Sequence, residues 1–132
     1  MSFLIVEDDP ISCQLLLEVL TPYAYCDSVS THEQAVEMFQ DKMHGDDPYQ
    51  LIIIDIDLPD GNGIDLLRKI RALEVTENPT DYKPVHALFQ TVSDHPDHKT
   101  ETMSLGSCAY LVKPVRKNLL LDVLELHDLL EV

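Results

Sequence analysis

Short apolar runs alternate along this chain with longer segments whose apolar residues recur at helical spacing. The apolar runs predict five strands, at about 3–6, 25–29, 51–54, 85–91 and 110–112. The other segments predict five helices, at about 10–20, after a capping hydroxyl at Ser30 or Thr31, after Gly63, at about 95–105 and at about 116–131. Such alternation is typical of βα units, so the pattern predicts an α/β domain built on a parallel sheet.

The composition of each run indicates its place in the sheet. Residues 3–6 and 51–54 are continuously apolar, as strands covered on both faces are. Residues 25–29 mix apolar and polar side chains, which suits an edge of the sheet. The segment 74–84 is polar and predicts a long connection before the fourth strand, where Gln90 is an unusual residue for a buried position.

The chain is strongly acidic. Its 132 residues include 9 Lys and Arg against 24 Asp and Glu, for a formal net charge of −15. This charge repels nucleic-acid phosphates and anionic membrane surfaces, so we expect neither as a partner. With 45% hydrophobic residues the composition is globular, and the length suits one domain. We therefore expect residues 1–132 to form a single domain, with no output domain in the chain.

Three features of the sequence favour a cytoplasmic location. No apolar run approaches the ~20 residues that cross a bilayer. The N-terminus has no basic segment before its apolar run, unlike a secretory signal. The three cysteines are odd in number and lack a CxxC spacing, which is typical of reduced thiols.

Charged residues follow three of the predicted strands. Glu7 and Asp8 end the first strand, Asp55 ends the third and Lys113 ends the fifth. Ligands of open parallel sheets bind at the carboxyl ends of the strands, where these side chains would converge. Converging carboxylates repel each other, and a hard divalent cation with oxygen ligands relieves that repulsion. The strand ends therefore predict a cation site that includes Glu7, Asp8 and Asp55.

Four blocks of the sequence resemble the response-regulator receiver domains of two-component phosphorelays. They are LIVEDD at 4–9, IIDIDLPDGNG at 53–63, a hydroxyl residue near 91 and YLVKP at 110–114. An aspartate with proline four residues later and glycine eight residues later is a specific signal, and the Lys-Pro pair strengthens it. The resemblance covers essentially the whole chain. It implies a flavodoxin-like (βα)5 fold, a three-layer sandwich with strand order 2-1-3-4-5.

The resemblance also implies a role for each matching acid. Asp55 would accept a phosphoryl group and form an acyl phosphate, which is nucleophilic catalysis by a carboxylate. The cofactor would be Mg²⁺ (or Mn²⁺), with Asp8 and Asp55 as direct ligands. Glu7 would hold a metal-bound water, and the backbone carbonyl of Asp57 would also face the metal.

The matching residues of the fifth strand would respond to phosphorylation. Lys113 would pair with Asp55 and then with a phosphoryl oxygen, as a mobile point charge can. The Lys113–Pro114 peptide bond would be cis, which is affordable only before proline. Tyr110 would be an aromatic switch residue that turns inward on activation.

The fourth strand leaves two positions for the hydroxyl that meets the phosphoryl group. Counting back from Lys113 by the family's usual interval gives Thr91, whereas counting forward from Pro84 gives Phe89. Phe89 has no hydroxyl, so we predict that Thr91 is both the phosphoryl contact and the second switch residue.

The function implied by the resemblance is a phosphorylation-dependent signalling switch. A histidine kinase or a phosphotransfer protein would donate the phosphoryl group to Asp55. The change would reshape the surface formed by the fourth helix, the fifth strand and the fifth helix. The domain is not expected to be an enzyme beyond self-phosphorylation from a donor and autodephosphorylation at Asp55.

Two alternatives remain open from the sequence. The segment Asp55-Ile-Asp57-Leu-Pro59 also resembles the DxDx[TV] motif of haloacid-dehalogenase-type phosphohydrolases, although that family places the motif near the start of the chain and an acid pair after its lysine. The other alternative is a receiver-like module that binds partners without being phosphorylated. The complete set of acids and Lys113 argues against it.

Two apolar stripes lie side by side on the predicted last helix. One comprises Leu119, Val123, Leu126 and Leu130, and the other comprises Leu120, Leu121 and Leu124. One stripe suffices to dock a helix on a sheet. The second indicates either a deeply buried helix or a surface for a second copy of the chain or an output partner, formed with the fourth helix.

Overall fold

Five parallel strands form the central sheet of the structure, a computed structural model that describes residues 1–92, 96–107 and 109–130. The elements are β1 (Ser2–Val6), α1 (Pro10–Leu20), β2 (Tyr25–Val29), α2 (His32–Met43), β3 (Tyr49–Asp55), β4 (Asp57–Leu58), β5 (Gly61–Asn62), α3 (Gly63–Glu77), β6 (His86–Thr91), α4 (Pro96–Ser104), β7 (Ala109–Val112) and α5 (Lys117–Leu126). The sheet order is β2-β1-β3-β6-β7, with every neighbouring pair parallel. Counted without the short antiparallel pair β4–β5, this order is 2-1-3-4-5, so the predicted flavodoxin-like fold is confirmed.

Helices cover both faces of the sheet and make it a three-layer sandwich. On one face, Leu4 and Ile52 of the sheet pack with Phe39 of α2 and Ile70 of α3. On the other face, residues of α1 and α5 pack against the alternate strand positions, which include Phe3, Ile5, Ile53 and Leu88. No helix in the described ranges has both the length and the hydropathy that a bilayer crossing requires.

The burial of the strands follows their composition. Every residue of β1 is buried, and only Gln50 of β3 is exposed. By contrast β2 has exposed positions along its length and lies at an edge of the sheet, as its mixed sequence predicts. The two apolar runs therefore place β1 and β3 in the interior, with the residues after them at the same end of the sheet.

The end of α3 differs from the prediction, which placed a polar connection from residue 74 onward. The helix continues to Glu77, and Glu74 is buried although it is charged. The Glu74 carboxylate accepts hydrogen bonds from Arg71, from the Tyr82 hydroxyl and from the backbone N–H of Val85. These three donors stabilise the buried charge and tie the connection to the helix.

The end of α5 also differs, because the helix stops at Leu126 rather than near residue 131. Asp128 adopts a left-handed backbone (φ 58°), and the chain turns so that the N–H of Leu129 reaches the carbonyl of Leu124 at 2.8 Å. Leu129 is buried in the core after this turn. The helical spacing of the leucines continues through a segment that is no longer helical. The predicted end at Glu131, like the predicted start of the fourth helix at His95, lies outside the described residues.

The hydroxyl of Thr31, rather than that of Ser30, caps α2 by accepting the backbone N–H of Gln34 at 3.2 Å. We expect Thr31→Ala to lower the free energy of unfolding by about 1 kcal/mol, because the first turn loses this acceptor. Urea unfolding followed by circular dichroism measures the change. Thr31→Ser keeps the hydroxyl and is the matched control. Equal losses in both variants would contradict a capping role.

Candidate functional site

Three polar residues lie side by side at the carboxyl edge of the sheet. Val6 pairs with Ile54 and Asp55 pairs with Gln90, so Glu7, Asp55 and Gln90 form one row across β1, β3 and β6. Two residues before them on the same strands are Ile5, Ile53 and Leu88, whose side chains pack in the core on the side of α1 and α5. Because side chains alternate along a strand, all three point to that side of the sheet. All three are buried.

Lys113, directly after β7, reaches the same place. Its Nζ lies 3.0 and 2.9 Å from the two carboxylate oxygens of Glu7 and 3.0 Å from Oδ2 of Asp55. The Glu7 side chain is fully buried and that of Asp55 is nearly so, whereas Lys113 retains some contact with solvent. One ammonium group therefore holds two carboxylates that would otherwise repel each other.

The charges in this cluster are only partly balanced. Burial raises the pKa of Glu7 to about 6, with the negative charge of Asp55 adding to the effect and the hydrogen bond from Lys113 opposing it. Burial alone would lower the pKa of Lys113, but its hydrogen bonds to Glu7 and Asp55 outweigh this and raise that pKa above its usual value. The Glu7 shift therefore comes first from burial, whereas the Lys113 shift comes from the two carboxylates that share this cation.

Asp8 completes a group of acids that can share a metal ion. It is exposed, and one carboxylate oxygen from each of Glu7, Asp8 and Asp55 lies within 4.8 Å of the others. Three carboxylates and one ammonium leave two negative charges, which is the charge that a divalent cation neutralises. Carboxylate oxygens are also the ligands that Mg²⁺ prefers, so the residues present fit such an ion.

The loop after β3 is fixed by backbone hydrogen bonds. Ile56 donates to the carbonyl of Gln90 at 3.1 Å, and Gly63 donates to the carbonyl of Ile56 at 2.8 Å. Asp57 is exposed, and its backbone N–H donates to Oδ1 of Asp55 at 3.0 Å. The Asp60 carboxylate accepts the backbone N–H of His32 at 2.7 Å. These contacts hold Asp55 and Asp57 against the end of the sheet.

The residues proposed for the response to phosphorylation lie on β6 and β7. Thr91 is the last residue of β6, is buried, and accepts the backbone N–H of Lys113 through its carbonyl at 2.7 Å. Phe89 lies in the core, on the face covered by α2 and α3. Tyr110 is partly buried and packs against that same core. The Lys113–Pro114 peptide bond is cis.

A cavity of about 640 Å³ opens from the acids toward the groove between α1 and α5. Glu7, Asp8, Asp55 and Lys113 line its polar end. Apolar side chains, including Leu15, Leu16, Val115 and Leu120, line the other end. The site is therefore accessible from outside and is bordered by an apolar wall.

Gln90 is the residue of this site that the sequence analysis did not assign. Its Nε2 donates to Oε2 of Glu7 at 2.7 Å, in the buried interior of the pocket. The signal was present in the sequence, as a polar residue inside an otherwise apolar strand. The contact with Glu7 also requires the register of the strands, which neither the sequence pattern nor the implied strand order gives.

The two stripes of the last helix separate in the structure. Leu120 and Leu124 are buried in the core, and Val123 packs against it. Leu119 and Leu126 are exposed. One stripe docks α5 on the sheet, and part of the other faces outward.

Comparison with known proteins assigns the family. The family model described as "Response regulator receiver domain" matches residues 3–125. The chain belongs to this family. As a receiver domain of response regulators in two-component systems, it is a signalling module. The family gives no support to the phosphohydrolase alternative or to a module that is not phosphorylated.

Named relatives agree with this assignment. The receiver domain is 33% identical over 122 residues to the transcriptional regulatory protein CitB of Klebsiella pneumoniae, covering 92% of this chain and 48% of CitB. It is 35% identical over 115 residues to BasR of Escherichia coli strain K12, covering 86% of this chain and 46% of BasR. The chain thus spans about half the length of these curated relatives.

Among solved structures, the receiver domain resembles a chain from the complex of the Saccharomyces cerevisiae histidine phosphotransfer signaling protein Ypd1 with the receiver domain of its downstream response regulator Ssk1. The TM-score is 0.80 at 26% sequence identity, and the match covers 95% of this chain and 87% of that chain.

Proposed function

We propose that Asp55 accepts a phosphoryl group from the phosphohistidine of a histidine kinase or a phosphotransfer protein, and that the phosphorylated domain acts as a signalling switch. One observation supports this above all. Lys113 lies 3.0 Å from Oδ2 of Asp55, at an acid cluster that is open to the outside. A nucleophile, a mobile cation and a group of metal-binding oxygens therefore occupy one place.

The chemistry requires little beyond positioning and neutralisation of charge. A carboxylate oxygen of Asp55 would attack phosphorus, and a P–O bond would form as the P–N bond to the donor imidazole breaks. The imidazole leaves with the electron pair of that bond. Lys113 would exchange its hydrogen bond to Asp55 for one to a negatively charged phosphoryl oxygen. The Thr91 hydroxyl would contact the same group and Tyr110 would turn inward, which changes the surface around α4 and α5.

The acids would hold a divalent cation, Mg²⁺ or Mn²⁺, during this transfer. Asp8 and Asp55 would bind it through their carboxylates, Glu7 through a water and Asp57 through its backbone carbonyl. When bound, the cation neutralises charge on the phosphoryl oxygens and orients the group. Hydrolysis of the acyl phosphate in the same pocket would return the domain to its resting state.

Two exposed apolar surfaces suit the proposed partners. Leu15 of α1 lines the pocket and is 56% exposed, and Ile11 of the same helix is 72% exposed, on the side where a phosphodonor protein must approach. The similarity to a chain of the Ypd1–Ssk1 complex supports such a donor. The second set of exposed apolar residues comprises Met103 of α4, Val112 of β7 and Leu119 of α5. We assign that surface to an output partner or a second copy of the chain.

Incubation with acetyl phosphate and Mg²⁺ tests the proposed function directly. We expect intact mass spectrometry to detect the addition of one phosphoryl group to the wild type. Asp55→Asn should abolish the addition, because an amide cannot replace the nucleophilic carboxylate, and chelation of Mg²⁺ should suppress it. Asp65→Asn, the same chemical change at an exposed position of α3, is the matched control and should be phosphorylated normally.

Other results would contradict the proposal. Steady turnover of an exogenous phosphate ester would indicate a phosphohydrolase. Absence of phosphorylation, with cation binding confirmed, would indicate a module that binds partners in its unmodified form.

A further inference from the structure

Gln90 is a buried polar residue within β6, with 2% of its surface exposed. A buried amide is unfavourable unless its hydrogen bonds are made. Its Nε2 donates to Oε2 of Glu7 at 2.7 Å across the intervening β3. An apolar residue could fill this buried position of the strand but could not make this hydrogen bond. The amide therefore serves Glu7 rather than the packing of the sheet.

The donors around Glu7 are not equivalent. Oε1 accepts the backbone N–H of Asp9 at 3.1 Å, and Lys113 bonds to both carboxylate oxygens. Lys113 is shared with Asp55 and, under the proposed function, transfers to a phosphoryl oxygen. Gln90 then remains on Oε2 when Lys113 leaves. The Gln90 amide is neutral, so this donor leaves the net negative charge of the cluster unchanged.

We propose that Gln90 is a positioning residue of the cation site, whose amide fixes the Glu7 carboxylate so that the site binds a divalent cation more tightly. This inference rests on the cation site of the proposed function. Hydrogen-bond partners of metal-binding groups commonly change metal affinity by about 10- to 100-fold, because they fix the orientation of the ligand. Gln90 therefore acts on the cation through Glu7.

Titration with Mn²⁺, with the free ion measured by electron paramagnetic resonance, tests the role of the amide. We expect Gln90→Met, which keeps the length of the side chain without its donor, to raise the Kd for Mn²⁺ about tenfold. Leu88→Met is the matched control, since Leu88 is fully buried two residues earlier on the same strand and points to the same face. Its Kd should stay within about twofold of the wild type, since Leu and Met are similar in volume.

A second variant at the same position shows whether the effect depends on how methionine packs there. Gln90→Asn retains the amide but is one methylene too short to reach Glu7, so it should weaken Mn²⁺ binding in the same direction. Wild-type affinity in either folded Gln90 variant would overturn the inference and leave the cation site intact. Failure of the wild type to bind Mn²⁺ would overturn the cation site of the proposed function, and the inference with it.

Discussion

Gly63→Ala is expected to lower the free energy of unfolding by about 3 kcal/mol, at the upper end of the usual cost of overpacking. A Cβ atom at this position would lie 2.4 Å from the backbone oxygen of Asp55, 2.6 Å from Cγ2 of Ile54 and 3.0 Å from Cα of Ile56. Two of these atoms belong to the backbone at the end of β3. The added methyl group can therefore be accommodated only if β3 and α3 move apart.

Urea unfolding in the absence of divalent cation measures this loss. Gly45→Ala is the matched control, because a Cβ at Gly45 meets only the carbonyl of Lys42, at an ordinary 3.5 Å. That variant should unfold at or slightly above the wild-type urea concentration, since alanine restricts the unfolded chain. A Gly63→Ala variant as stable as Gly45→Ala would mean that the close approach is not a real constraint.

Gly63 also illustrates what the sequence could predict. The glycine eight residues after Asp55 is part of the pattern that resembles receiver domains, and the pattern alone gives no reason for it. In the structure the reason is local, because α3 begins against the strand that carries Asp55, and the N–H of Gly63 bonds to Ile56. A specific motif therefore predicts a packing constraint before the contact itself is known.

The main sheet was predictable because its strands differ in composition. The apolar runs of β1 and β3 can be stable only where both faces are covered, and the mixed run of β2 suits an edge. The pair β4–β5 was not predicted, since strands of two residues are too short to have a periodicity. The predicted end of α5 was wrong because the helical spacing of the leucines continues past Leu126, whereas the backbone turns at Asp128.

The candidate site was predictable only in part, for a related reason. Glu7, Asp8 and Lys113 follow strands and Asp55 is the last residue of β3, so a parallel sheet brings all four to one edge whatever their exact contacts. The strand order was predicted as well, but the hydrogen bond from Gln90 to Glu7 depends on register to within one residue, which was not. Register also decides which residue of β6 can face a phosphoryl group, so the sequence left Thr91 and Phe89 as alternatives, and the choice of Thr91 stays a prediction.

Lys113→Met is expected to lower the free energy of unfolding by about 2 kcal/mol when divalent cations are chelated. Breaking a fully buried ion pair costs about 3–5 kcal/mol, and the solvent contact of Lys113 reduces that cost. The variant leaves Glu7 and Asp55 without their shared ammonium group, so the net charge of the cluster becomes more negative by one unit. Lys117→Met, at the exposed start of α5, is the matched control and should change stability little.

Magnesium should restore much of this loss. A ligand that binds only the folded state stabilises it in proportion to the logarithm of its concentration over its Kd. Because the Lys113→Met pocket is more negative, added Mg²⁺ should stabilise this variant more than it stabilises the wild type. Urea unfolding with and without Mg²⁺ measures both effects. Equal stabilisation of the two proteins would mean that Lys113 and the cation do not act on the same charges.

A double-variant cycle separates the charge effect from the loss of the lysine stem. In Asp55→Asn the cluster has one carboxylate fewer, so removing Lys113 there leaves less uncompensated charge. If the ion pair with Asp55 carries about half of the effect, Lys113→Met should cost about 1 kcal/mol in that background. An undiminished cost would assign the stabilisation to Glu7 alone. In that case Lys113 would be free to leave Asp55 for a phosphoryl oxygen without loss of stability.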